Sequence, residues 1–490
     1  MSMKKNLLVI VFLLVLAALL VACGGQTTQA PTDAPTSASI VTEAPTEAPV
    51  ALSGDPIQGG LLYDDWVKVL GVDAPTDNQP LWGTQTTNTR SGKDTWRCKE
   101  CHGWDYNGVN GAYGKGSHMT GFVGVSQVAG TDASAILAAL KGATNPDHDF
   151  SSVMDDQALT NLALFLNDYQ FDTSFFIGAD KLATSGDAVN GKNLFYQNCS
   201  YCHGPQGLSM NFADDSDPEY YGTIASDNPW EFIHKARFGQ PNAENMPSMV
   251  DLGLSDAEYA DLLAYAQTLP TSSPVTEGGR LYDKWFAALG VDAPAGDQPL
   301  WATQTTNTRT GADTWRCKEC HGWDYKGVDG RYGSGSHQTG FPGILDAAAM
   351  SPEELTAWLD GSKNADHNFS TYMTADDFAR LVAFIQKDVF DKSTIINDDK
   401  TVVGGDATHG KLLFDSVCKV CHGTDGKTFN FGSDSEPEYF GTIAADNPWE
   451  FFNKATVGVP GEAMPAGWNL GWNLQDIIDL LTYAQTLPTK

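Results

Sequence analysis

The chain of 490 residues opens with Lys4 and Lys5, followed by an apolar run from Leu7 to Leu20 and then Val21, Ala22 and Cys23. A charged start, a short apolar stretch and small residues before a cut describe a secretory signal peptide over residues 1–22. The run is shorter than the roughly 20 apolar residues that a membrane-spanning helix needs. Residues 24–54 are mostly Thr, Ala, Pro, Glu and Gly, with no Lys, Arg or aromatic residue. Such a stretch cannot bury enough apolar surface to fold, so residues 23–54 are predicted to be a disordered tether. In extended polyproline geometry it would reach roughly 90 Å.

Beyond residue 54, apolar residues recur at helical spacing. Ser255 and Glu258 make a capping box, and Tyr259, Leu262, Leu263, Ala266 and Leu269 form a stripe that Pro270 ends. Ile477, Ile478, Leu480, Leu481 and Ala484 repeat it ahead of Pro488. Thr374 and Asp377 cap a third helix, whose stripe is Phe378, Leu381, Val382 and Ile385. Two shorter helices place Gly191 with Phe195, and Gly410 with Phe414, on one face at i, i+4. These stripes are core packing, not ligands. Two longer segments begin "GG-x-LYD-x-W". Each carries a stretch of the form "QPLWxTQTTNTR", whose Thr, Asn and Gln residues favour an irregular loop. The sequence alone gives that loop no function.

The chain also repeats itself. A shift of 219 positions superposes Cys98 on Cys317, His118 on His337, His148 on His367, Met154 on Met373 and Cys199 on Cys418. "TWRCKECHGWDY" from Thr95 recurs letter for letter from Thr314, and "DNPWEF" and "YAQTLPT" recur as well. A long module A and a short module B therefore alternate as A-B-A-B, over residues 55–178, 179–273, 274–397 and 398–490.

Of nine cysteines, all but Cys23 form four pairs: Cys98/Cys101, Cys199/Cys202, Cys317/Cys320 and Cys418/Cys421. Each pair is followed at once by a histidine: His102, His203, His321 and His422. A redox dithiol explains the pairs but not the histidines. Structural zinc needs four ligands, and each cluster offers three, too crowded to close a tetrahedron. Cys-x-x-Cys-His is the signature of c-type haem attachment. Two thiols add to the vinyl groups on one porphyrin edge, and the adjacent histidine falls beneath the iron. Four motifs predict four covalently bound haem c groups.

The order G-x-x-x-F/Y-x-x-x-C-x-x-C-H-G, then Met-Pro, then a helix ending A-Y-x-x-x-L-P resembles the class I cytochrome c module. The B modules match it throughout; the A modules match at the haem motif and the closing helix. The resemblance implies an all-α chain of four small helical domains, each with its first and last helices crossing beside the haem. It also implies a second iron ligand from a methionine before the last helix. In the B modules that residue is Met246 or Met464; Met249 is a rival that the second copy replaces with Gly467. In the A modules Met154 and Met373 stand where this ligand belongs. His148 and His367, or His118 and His337, are the alternatives. His234 and His409 become Asn453 and Asn190 in the other copy and receive no ligand role. Leu-Val-Ala-Cys resembles the bacterial lipobox. It implies cleavage before Cys23, lipidation of its sulfur, and anchoring at the extracytoplasmic face of the cell membrane.

Thirty basic against 61 acidic residues give a net charge of −31. That charge excludes nucleic acid as a partner and fits redox proteins with a basic docking face. The expected function is electron transfer by a membrane-anchored tetrahaem cytochrome, a carrier rather than an enzyme. The alternative is a haem enzyme acting on a sulfur oxyanion, nitrite or peroxide at an A-module iron with an open position. Histidine ligation in A with methionine in B would give each half a low-potential and a high-potential haem. Trp230 and Trp449, in "DNPWEF", are expected in core packing rather than in a redox role.

Overall fold

The computed structural model describes residues 52–490 except Glu244; the signal peptide, Cys23 and the tether as far as residue 51 lie outside the described residues. Among the described residues the fold is helical, with isolated antiparallel bridges such as Gly108–Val123 and no sheet. No helix among them is long and apolar enough to cross a membrane.

The same crossing of two helices recurs four times, and a glycine sits at each crossing. Helix Pro56–Leu70 packs on Asp156–Leu164, Ala188–Asn198 on Asp256–Ala266, Pro274–Ala288 on Ala375–Asp388, and Ala407–Leu413 on Leu474–Ala484. A Cβ on Gly59 would lie 2.2 Å from the Asn161 carbonyl oxygen; on Gly278, 2.0 Å from that of Arg380; on Gly191 and Gly410, 1.9 Å from those of Asp261 and Asp479. Any side chain would force the helices apart, so glycine sets the distance. The aromatic residue one turn on, Phe195 or Phe414, is fully buried beside the crossing.

Local signals start the helices. The Asp55 carboxylate accepts from the backbone of Ile57 and Gln58, and Pro56 fills the first turn, where no N–H is needed. Asp187 and Asp406 cap in the same way. The capping boxes Ser255/Glu258 and Thr374/Asp377 are both formed. The stripes read from the sequence are buried: Leu263, Ala266, Ile477 and Ala484 have no exposed surface, and Leu381 and Leu481 have 1%.

The "LYD-x-W" motif grips the cysteine segment from below. The Tyr63 hydroxyl donates to Gly103 O at 2.6 Å, and the Trp66 indole N–H donates to Trp96 O at 2.9 Å. Asp64, 1% exposed, binds Arg97 at 2.6 Å and Lys235 at 2.7 Å. The second copy repeats each bond. Tyr282 donates to Gly322 O at 2.5 Å, Trp285 to Trp315 O at 2.9 Å, and Asp283 binds Arg316 at 2.5 Å and Lys454 at 3.2 Å. Lys235 and Lys454 lie on helices Pro229–Phe238 and Pro448–Val457, in the neighbouring B segments. One buried carboxylate therefore fixes the cysteine turn and ties the A and B segments of each half together.

Candidate haem sites

Cys98–His102 is a single helical turn, too short to hold itself, and its position comes from the contacts just described. Beside it lies a largely apolar cavity. Its wall includes Cys98, Cys101 and His102, and across it Gln79, His148, Phe122 and Leu162. Neither cysteine is in a disulfide. Burial pushes each thiol up to about 12, which removes the thiolate that a redox dithiol needs.

The two imidazoles face each other across this cavity. The ring centres of His102 and His148 are 6.1 Å apart, and those of His321 and His367 are 6.2 Å apart. A metal–imidazole bond is about 2 Å long and Nε2 lies roughly 1 Å from its ring centre, so two imidazoles on opposite sides of one metal stand about 6 Å apart. The tautomers agree. His102 Nδ1 is 2.7 Å from Val123 O, His321 Nδ1 is 2.8 Å from Pro342 O, and His367 Nδ1 is 2.9 Å from Trp358 O. A carbonyl only accepts, so Nδ1 carries the proton and Nε2 is left bare to bind a metal. Burial lowers His102 and His321 to about 4, which keeps both rings neutral. With two thiols at one edge and apolar walls, this donor set fits a haem c.

The other A-module candidates lie elsewhere. Met154 and Met373, placed first by the resemblance, are 3% and 5% exposed and belong to the apolar core. Met154 is not in the cavity wall; His148 is. At the turn that starts the closing helix Met154 N donates to Phe150 O; Phe150 and His148 line the cavity, while Met154 packs in the core. His118 and His337 point away, toward Glu100 at 3.8 Å and Glu319 at 3.7 Å, and stack on Tyr113 and Tyr332.

In the B segments His203 and His422 are each 9% exposed and pack against Tyr221 and Phe440, with ring centres 4.9 and 4.8 Å apart. Their Nδ1 atoms are buried without a hydrogen-bond partner. Cys202 and Cys421 are exposed. Met246 and Met464 are half-buried in loops folded back on Gly239 and Gly458. There a Cβ would stand 2.9 and 2.8 Å from the methionine carbonyl, and φ is +91° and +83°. Met249 is 4% exposed and sits in the core. Trp230 packs on the first B core, and Trp449 is 6% exposed under the Arg331 guanidinium.

The "QPLW" stretch carried no functional reading, and the structure supplies one. Gln79 Nε2 donates to Asp147 O at 2.6 Å, beside His148, and Gln79 N donates to Thr95 Oγ1 at 2.9 Å. Gln298 makes the same bonds to Asp366 O and Thr314. The insertion clamps the histidine loop to the cysteine segment and walls the cavity. The only sequence signal for this was near-identical repetition, with Gly83 against Ala302 the one change, in a stretch with no apolar pattern.

Residues 186–265 match the family model "Cytochrome C oxidase, cbb3-type, subunit III". That segment is similar to a c-type cytochrome domain. It contains Cys199, Cys202, His203 and Met246. Among solved structures, the chain is similar to a thiosulfate dehydrogenase (TsdBA) from Marichromatium purpuratum, at 15% identity over 79% of this chain and 86% of that one. The TM-score of 0.16 is too low for that likeness to bear on fold or activity here. No curated protein matches the chain.

Proposed function

We propose that the chain is a tetrahaem c-type cytochrome that passes electrons between redox proteins outside the cytoplasm, anchored through lipid on Cys23. The observation that carries this reading is the pair of neutral imidazoles 6.1 Å apart, over a cavity walled by both cysteines of one motif, and its repetition at 6.2 Å. Each bound haem would supply one reversible electron on iron. The chain's residues attach, orient and enclose it. Cys98/Cys101, Cys199/Cys202, Cys317/Cys320 and Cys418/Cys421 would hold the four groups. His102 with His148, and His321 with His367, are the ligand pairs in the A segments, in place of Met154 and Met373. His203 with Met246, and His422 with Met464, are the pairs in B. Bis-histidine ligation lowers a potential relative to methionine ligation, so each half would hold one low- and one high-potential centre.

The same geometry argues against substrate chemistry at the A sites, because His148 and His367 occupy the position that a substrate would need. Spectro-electrochemical titration of the holoprotein tests the proposal. Four haems are expected, with a methionine-to-iron near-infrared band from two of them and no spectral shift on adding carbon monoxide. A mature chain no heavier than its amino acids plus lipid would end this reading.

A further inference from the structure

The halves repeat so closely that a buried difference between them stands out. Asp388 ends the helix Ala375–Asp388, and Lys392 follows four residues on. The first half has Tyr169 and Thr173 at these positions. Asp388 is 5% and Lys392 1% exposed. Lys392 Nζ lies 3.5 Å from the Tyr325 ring centre and 5.1 and 5.2 Å from those of Phe390 and Phe452, and it has no hydrogen-bond partner. Asp388 accepts from the Trp468 indole N–H at 2.8 Å, on the loop that carries Met464. Tyr325 meets the other segment through Asn453, whose Nδ2 is 3.3 Å from its hydroxyl. The pair therefore sits between the two segments of the second half.

Lys392 also lines a polar cavity bounded by Trp449. The charged groups facing this cavity are Asp324, Lys326, Asp329, Arg331, Asp391 and Asp398. Two pairs of them neutralise each other: Lys326 with Asp391 at 2.7 Å, and Arg331 with Asp398 at 3.1 Å. Burial pushes Asp388 up and Lys392 down; attraction to Asp388, then Asp324 and Asp391, pulls the lysine back part of the way. The first half puts a cation nearby in another form. Arg237 donates to Tyr169 O at 2.8 Å and lies over Phe171 at 4.6 Å. A guanidinium keeps its proton; a buried amine exchanges it.

We propose that Lys392, with Asp388, is a proton-binding site coupled to electron arrival in the second half, so that this half takes up a proton with an electron while the first half carries electrons alone. The proposal rests on the electron-transfer reading. One electron from a one-electron reductant adds a negative charge to the half. One proton from cavity water converts the neutral amine of Lys392 to ammonium and restores the charge. Reoxidation by the acceptor returns both.

The test uses the full holoprotein, reduced at an electrode in weakly buffered solution with a pH indicator at roughly neutral pH. Wild type takes up a fraction of a proton, at most about one per molecule, beyond the uptake that remains in Lys392→Met. Asp388→Asn, which keeps an acceptor for Trp468, also lowers uptake. Equal uptake in wild type and in a Lys392→Met protein with an intact absorption spectrum overturns the proton site and leaves the electron-transfer reading standing. A wild-type chain without attached haem overturns both. Nuclear magnetic resonance of isotopically labelled lysine in wild type needs no variant: one lysine should titrate near neutrality at a pH that moves between the oxidised and reduced protein. A set of lysines that all titrate as ordinary amines in both states also overturns the site.

Discussion

Glu100 stands between the two cysteines of its motif and is 1% exposed. Burial works against its charge, but His118 and Lys99, whose Nζ is 2.5 Å away, outweigh it and hold the carboxyl down to about 2. Glu319 is held there in the same way by His337 and Lys318. A carboxylate with a lowered folded pKa adds stability that is present above its unfolded value, 4.5 here, and lost as pH falls through the folded one. An acid melt should therefore lose stability between about pH 4.5 and pH 2, and Glu100→Gln with Glu319→Gln should flatten that slope. The repeat "TWRCKECHGWDY" has a physical reason at this scale. Thr95, Trp96, Arg97, Lys99, Glu100, Trp104, Asp105 and Tyr106 each meet a partner, so the stretch has little room to vary. The cysteines and His102 were legible because covalent chemistry fixes their order. Which residue stands opposite His102 was not, because His148 and Met154 are six positions apart in one loop and only the packed fold puts His148 in the cavity wall and Met154 in the core. His148→Met is expected to raise the potential of one haem and add a near-infrared methionine band, leaving the haem count at four; unchanged spectra would show that His148 does not bind.

At the scale of elements, the glycine crossings were readable as a spacing but not as a distance. G-x-x-x-F marks one helix face; that the partner's carbonyl comes to within 1.9 Å of an added Cβ needs the packed pair. Gly191→Ala and Gly410→Ala should each cost about 1–3 kcal/mol by overpacking, seen as an earlier thermal transition of the holoprotein. The stripes and capping boxes were plain in sequence because they are local. The "QPLW" clamp was opaque because its bonds run to a loop 68 residues away. Gln79→Ala should free the His148 loop and let carbon monoxide bind the reduced protein at one site, where wild type shows no shift. An unaltered spectrum under carbon monoxide would reduce the clamp to a structural brace.

Over the whole molecule, sequence reading gives the order of the segments and not their arrangement. The junction between halves is made by polar residues no periodicity exposes. Arg280, 9% exposed, pairs with Asp215 from the first half, and Gly461 N donates to the same carboxylate at 2.9 Å. Asn469 Oδ1 accepts from Ser273 and Thr276 at 2.6 and 2.8 Å, and its carbonyl takes Ser209 Oγ at 3.1 Å. The turn after His203 therefore touches the loop after Met464, bringing the two B segments side by side although an A segment separates them in the chain. Asp215→Ala should cost about 3 kcal/mol and open the 270–276 link to limited proteolysis. The two kinds of cysteine pair also differ in access. Cys98 and Cys101 wall an interior cavity, whereas Cys202 and Cys421 are at the surface. If the pairs load as proposed, assembly has a time order: the interior pairs would react with porphyrin while the polypeptide is still open, and a chain that closed early would be lost to further loading. Cells starved of iron should accumulate molecules whose peptide masses show porphyrin on the pairs that include the exposed Cys202 and Cys421, and bare thiols at Cys98 and Cys317.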